Sequence, residues 1–144
     1  MGRMGSVGSV EPGCVFCQIV EGEAEAFVLA SSSTAVAFLD IAPLARGHAL
    51  VVPTRHVEDL LDGGAQVLHE VAPVLEETAR LLVGRLGADG INIFQSTGAA
   101  AGQEVPHFHV HLLPRWRDDG VLRGVFREPM AAEDLDALHA ELLG

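Results

Sequence analysis

The segment Val105 to Arg115, V-P-H-F-H-V-H-L-L-P-R, constrains this chain more than any other stretch. His107, His109 and His111 alternate there with Phe108, Val110 and Leu112, and a period of two is the signature of a strand with unlike faces. The imidazoles are expected on one face and the apolar side chains on the other. Packing alone has no use for three histidines in register, because each buried ring needs polar partners on both nitrogens. Residues i and i+4 of a strand lie about 13 Å apart, whereas an imidazole ligand sits about 2 Å from zinc. One ion therefore cannot hold both His107 and His111, and at least one histidine is left for other chemistry.

The 144 residues are most simply one domain, expected over residues 13–144 behind a disordered leader over 1–12. No apolar run is long enough to span a bilayer, and the first residues lack the apolar core of a signal peptide, so a cytoplasmic protein is expected. A formal charge of −11 and the absence of Lys argue against a duplex nucleic-acid binder, which needs a basic surface. A small nucleotide remains compatible, since a few donors aimed at one phosphate suffice.

Cys14 and Cys17 form C-V-F-C, which in a reducing compartment suggests a metal or redox pair more than a structural disulfide. Two thiolates leave zinc short of four ligands, and His56 and one histidine of the alternating segment are candidates for the remainder. Further along, residues 18–25 read as a short helix closing on Gly22, and 26–30 as a first strand. Ser31 to Ser33 turn the chain into a hairpin partner over 34–39. A strong strand follows over 48–53, then a break at Asp62, Gly63 and Gly64. Residues 65–86 carry apolar side chains at helical spacing, with a kink expected at Pro73, and 91–95 is the next strand. Residues 116–127 read as irregular and 131–143 as a C-terminal helix, whose early Glu133 and Asp134 suit the helix dipole. His69 and His139 are expected at the surface. Strands joined mostly by short turns, with one long helix inserted before the last two, point to an α+β domain with an antiparallel sheet and helices packed to one side.

The alternating histidines followed by apolar residues and L-P-R, together with the approach G-A-A-A-G-Q at 98–103 and then Glu104 and Val105, resemble the histidine triad (HIT) nucleotide hydrolases and transferases. The resemblance covers about Cys14 to Arg115. It implies a HIT-like fold with a five-stranded antiparallel sheet, one long helix and a C-terminal helix, often extended across a homodimer. It assigns the nucleophile to His109, which would attack the α-phosphorus of a purine nucleotide conjugate, such as a dinucleoside polyphosphate or a phosphoramidate, and form a nucleotidyl-histidine. His111 and His48 would hold non-bridging oxygens, with backbone N–H groups around Gly102 to Val105 donating to developing charge. Asp40 would bind the ribose hydroxyls, Phe38 and Ile41 would flank the base, and Ser96, Gln103 and Val105 complete the nucleotide-binding set. Ser96 stands where relatives often carry an amide. Bacterial relatives with a C-x-x-C imply a structural zinc held by Cys14, Cys17, His56 and His107. Two alternatives stand beside this reading: a metal-dependent enzyme using His107 and His109 as ligands, and a non-catalytic nucleotide-binding or interaction protein.

Overall fold

The structure, a computed structural model, describes residues 10–121 and 128–144. Most of the expected leader and the end of the irregular 116–127 segment lie outside the described residues. One sheet of five strands runs in the order β1 (Val28–Ser31), β2 (Ala35–Leu39), β3 (Ala49–Pro53), β5 (Val110–Arg115), β4 (Gly90–Gln95), with every neighbouring pair antiparallel. The helices are α1 (Val15–Val20), the long α2 (Leu60–Leu86) and α3 (Ala132–Leu143). The α+β fold with its long helix, C-terminal helix and five-stranded antiparallel sheet agrees with the sequence reading.

The near-continuous apolar runs A-V-A-F-L and A-L-V-V-P make sense because β2 and β3 are buried on both faces. Ala35, Ala37, Ala49 and Val51 turn toward α2, where they meet Val67, Val71, Val74 and Leu82 with Phe108, Val110 and Leu112. Val36, Phe38, Leu50 and Val52 turn the other way, onto Phe16, Cys17 and Val20 of α1. Helices therefore flank both faces, not one side only, and the α1 face is the one that carries the histidines.

Several boundaries differ from the sequence reading for local reasons. Helix α1 begins at Val15, ahead of the expected residue 18, because Cys14 caps it: its sulfur accepts from the Cys17 N–H at 3.4 Å. Strand β1 starts later than expected and carries a register irregularity between Val28 and Ala30. Asp59 caps a helical turn beginning at Leu60, accepting from the Asp62 N–H at 2.9 Å, so α2 starts before the double glycine. The break itself falls at Gly64, with φ 65° and ψ −164°, while the backbone at Pro73 stays helical. The histidine strand begins only at Val110, since residues 105–109 bend before joining the sheet. The alternation nevertheless extends through the bend, with Phe108 fully buried against α2. Gly47, at φ 85°, sits where a Cβ would come within 2.5 Å of Leu86, so the turn into β3 requires glycine. His69 and His139 are exposed as expected, and no residue of α3 is buried.

Candidate active site

The register fixes the site. Leu39 at the end of β2 faces Ala49 at the start of β3, and Leu50 faces His111 on β5, which in turn faces Phe94 on β4. Asp40, His48, His109 and His111 are thereby gathered at one end of the sheet. The triad splits into two clusters, as the strand spacing requires.

In the first, His107 is fully buried and donates from Nε2 to the Pro53 carbonyl at 3.1 Å, which turns its Nδ1 lone pair toward Cys14 Sγ (3.4 Å), Cys17 Sγ (3.5 Å) and His56 Nδ1 (3.2 Å). Cys17 Sγ lies 3.3 Å from His56 Nδ1. Ligands of a tetrahedral zinc stand about 3.3 Å apart when both are nitrogen and about 3.6 Å apart when one is sulfur. The four measured separations match those figures, and all four ligand atoms lie within 4.8 Å of one another, so the donor set fits zinc. Burial pushes the Cys17 thiol up to about 11, partly offset by the Glu11 N–H that donates to its sulfur at 3.3 Å. Burial likewise lowers His107 to about 4, against the pull of the Pro53 carbonyl. Neutral imidazole beside thiols is the state that receives a cation.

The second cluster has a defined proton order. The Leu44 N–H donates to His48 Nδ1 at 3.0 Å, so neutral His48 carries its proton on Nε2 and gives it to His111 Nδ1 at 2.9 Å. Neutral His111 then presents Nε2–H. His109 donates from Nδ1 to the His107 carbonyl at 2.7 Å, which leaves the lone pair on Nε2, and among the described residues that nitrogen has no hydrogen-bond partner. Burial lowers all three pKa values, His111 to about 4 with help from neighbouring His109 and His48, while Asp40 opposes the shift at each. Phe94 stacks on His111 with centroids 4.4 Å apart, and Phe16 meets His109 edge-on at 5.2 Å.

His109, His111, Asp40, Phe38, Ile41 and Val105 line a cavity of about 300 Å³, the size of a small-ligand site. Asp40 uses Oδ1 to accept from the Ala42 N–H at 2.9 Å, capping the turn, and keeps Oδ2 3.7 Å from His48. Two expected contacts are not brought to this cavity. The Gln103 amide is spent on bracing the loop, accepting from Gly98 N–H and donating to the Glu58 and Val105 carbonyls at 2.7–3.0 Å. Ser96 does not line the cavity, and its carbonyl accepts from the Gln95 amide. In the approach loop the N–H groups of Gly102 and Gln103 are satisfied within it, whereas no backbone acceptor is found for those of Glu104 and Val105 among the described residues. Sequence reasoning missed Val15, Phe16, Ile19, Glu25 and Glu104 on the cavity wall. The spacing of Val15, Phe16 and Ile19 on one helical turn was a usable signal; Glu25 and Glu104 carried none.

A neutral imidazole whose lone pair has no partner among the described residues, a second that offers N–H, and an apolar slot beside a carboxylate are brought together on one cavity. The HIT domain family profile matches residues 21–118, and the chain belongs to that family. Adenosine 5'-monophosphoramidase HNT1 of Saccharomyces cerevisiae is 35% identical over 143 residues, covering 98% of this chain and 87% of the yeast protein. The crystal structure of SMU.412c from Streptococcus mutans superposes with a TM-score of 0.85 at 31% identity, over 96% of this chain and 87% of that one. A zinc-bound histidine triad family protein from Mycobacterium smegmatis superposes with a TM-score of 0.71 at 38% identity, over 90% of this chain and 95% of that one.

Proposed function

We propose that this protein hydrolyses or transfers at the α-phosphate of a purine nucleotide conjugate, a nucleoside phosphoramidate or dinucleoside polyphosphate, through a nucleotidyl-histidine on His109. The observation that carries the reading is the Nε2 of His109, which has no hydrogen-bond partner among the described residues, is held in one tautomer by the His107 carbonyl and opens on a cavity of small-ligand size. Its lone pair forms the P–N bond as the bond to the leaving group breaks; water then attacks phosphorus, and the imidazole departs with its electrons restored. His111, aligned by His48, offers Nε2–H to a phosphoryl oxygen or to the leaving atom. The N–H groups of Glu104 and Val105 are the backbone donors left for developing charge. Asp40 Oδ2 accepts from a ribose hydroxyl, and Phe38 and Ile41 flank the base. The yeast relative's name, a monophosphoramidase, supports this class of substrate.

Cys14, Cys17, His56 and His107 would hold a structural zinc that ties the start of α1 to the bend before β5, and four protein ligands leave no position for substrate. Thiols poised this way suit a reducing, cytoplasmic setting. The edge strand β4 exposes Ile93 and Phe94 and fits a homodimer that continues the sheet. Among the described residues no helix is long and apolar enough to cross a membrane.

His109→Gln tests the reading: turnover of a nucleoside phosphoramidate is expected to vanish while nucleoside monophosphate still binds. Turnover at the wild-type rate in that variant overturns it. Wild-type protein that binds nucleotide but neither turns over a phosphoramidate nor forms a phosphohistidine adduct is a binding protein.

A further inference from the structure

The strand order lays the nucleotide cavity out as a line. Glu25 and Ala26 lead into β1, and Phe27 accepts from the Leu39 N–H at 3.0 Å, which sets this lead-in beside the end of β2. Asp40 follows β2, His48 precedes β3, and His109 and His111 enter β5. From the β1 lead-in to β5 is three strand steps, about 14 Å at the usual spacing, comparable with an extended nucleoside monophosphate. With phosphate at the histidines and ribose at Asp40, the polar edge of the base arrives at the β1 end. Glu25 is the carboxylate there. It lines the cavity and is exposed, and among the described residues it has no hydrogen-bond or ion-pair partner.

We infer that Glu25 reads the base and makes this protein prefer guanine over adenine nucleotides. The inference rests on the nucleotide reading above and goes beyond it. A carboxylate is acceptor-only. The Watson–Crick edge of guanine offers N1–H and N2–H side by side, so both oxygens of Glu25 are matched. Adenine offers one donor beside the N1 lone pair, and one carboxylate oxygen would face that lone pair. Hypoxanthine keeps N1–H and lacks the second donor, so it falls between the two. A site built to accept hydrogen bonds rejects the analogue that cannot give them.

The experiment is calorimetric titration of GMP, IMP and AMP into the wild type and into Glu25→Gln, followed by turnover of guanosine and adenosine 5'-phosphoramidates. GMP is expected to bind about tenfold more tightly than AMP, the lower range for a bidentate base contact because Glu25 is exposed, with IMP between. In Glu25→Gln the amide oxygen still accepts and its NH2 now donates, which matches adenine, so the preference shifts toward AMP. A purely structural role for Glu25 would weaken all three nucleotides together. A GMP to AMP ratio near one in the wild type, or a ratio unchanged by the substitution, overturns the inference. A base preference that Glu25→Gln moves, with neither phosphoramidate turned over, supports the base assignment and counts against the hydrolase reading alone. No binding of any nucleotide overturns both.

Discussion

The neutral state of His111 should make the fold acid-sensitive in a way that one substitution removes. Its pKa falls from the ordinary 6.5 to about 4, first because it is buried and then because His109 and His48 face it. The unfolded chain therefore binds a proton on this residue at higher pH than the folded one. The stabilisation is complete above pH 6.5 and is lost as pH falls from 6.5 toward 4. With those two values, the linkage integral gives about 2 kcal/mol lost between pH 7 and pH 5 from His111 alone. His48 and His109 shift in the same direction and add to the loss. Removing the titrating ring while keeping an acceptor for the His48 N–H isolates the first contribution, and His111→Gln does this. Urea unfolding at both pH values, followed by circular dichroism, should show the wild-type midpoint dropping by about 1 M more than that of the variant, for a typical urea dependence. Contributions from the cysteine cluster and from the surface carboxylates are common to both proteins and cancel. If wild type and His111→Gln lose the same stability between pH 7 and pH 5, the neutral hydrogen-bonded pair of His48 and His111 is not the state of the folded protein.

Two further outcomes follow from the clusters around the site. Metal analysis of purified protein should find about one zinc per chain. Cys14→Ser should lose the ion and lower the melting temperature, and an equally stable metal-free wild type would remove the zinc assignment. Gln103→Ala deletes the three side-chain hydrogen bonds through which its amide braces the approach loop. It should speed amide exchange across residues 98–105 and raise KM for a phosphoramidate with little change in unfolding midpoint; unchanged exchange would show that the loop is held by other means.

Period and residue type made most of the sheet legible. A-V-A-F-L and A-L-V-V-P read as strands because both faces are buried, and the alternation around His109 placed Phe108, Val110 and Leu112 in the core under α2. Ends were less legible, because they depend on partners distant in sequence or on unusual caps. A cysteine sulfur capping α1 follows no common capping rule, and the bend before β5 is tied by the Phe108 N–H to the Val57 carbonyl at 2.7 Å. Cys14, Cys17 and His56 were legible as candidate ligands from residue type, but the choice of His107 to complete the set came through the family resemblance, since nothing in the local spacing of Cys17 and His56 says that their side chains meet at 3.3 Å. Gln103 shows the opposite failure. Its position in the motif suggested a ligand contact, but its amide is consumed by backbone groups.

The placement of C-V-F-C explains how adjacent members of the triad serve different ends. The thiols, three residues apart at the start of α1, fall together on the His107 side, while Val15 and Phe16 between them line the cavity that holds His109 and His111. Phe16 meets His107 edge-on at 5.8 Å and His109 edge-on at 5.2 Å, so one ring packs against both clusters. The His107 carbonyl then fixes the tautomer of His109. A cation held at the thiols would therefore act on the chemistry by orienting a backbone carbonyl and an aromatic wall, with no contact to phosphorus. Loss of the ion should accordingly reduce turnover and stability together, because the segment that would hold the ion also packs against His109, the proposed nucleophile.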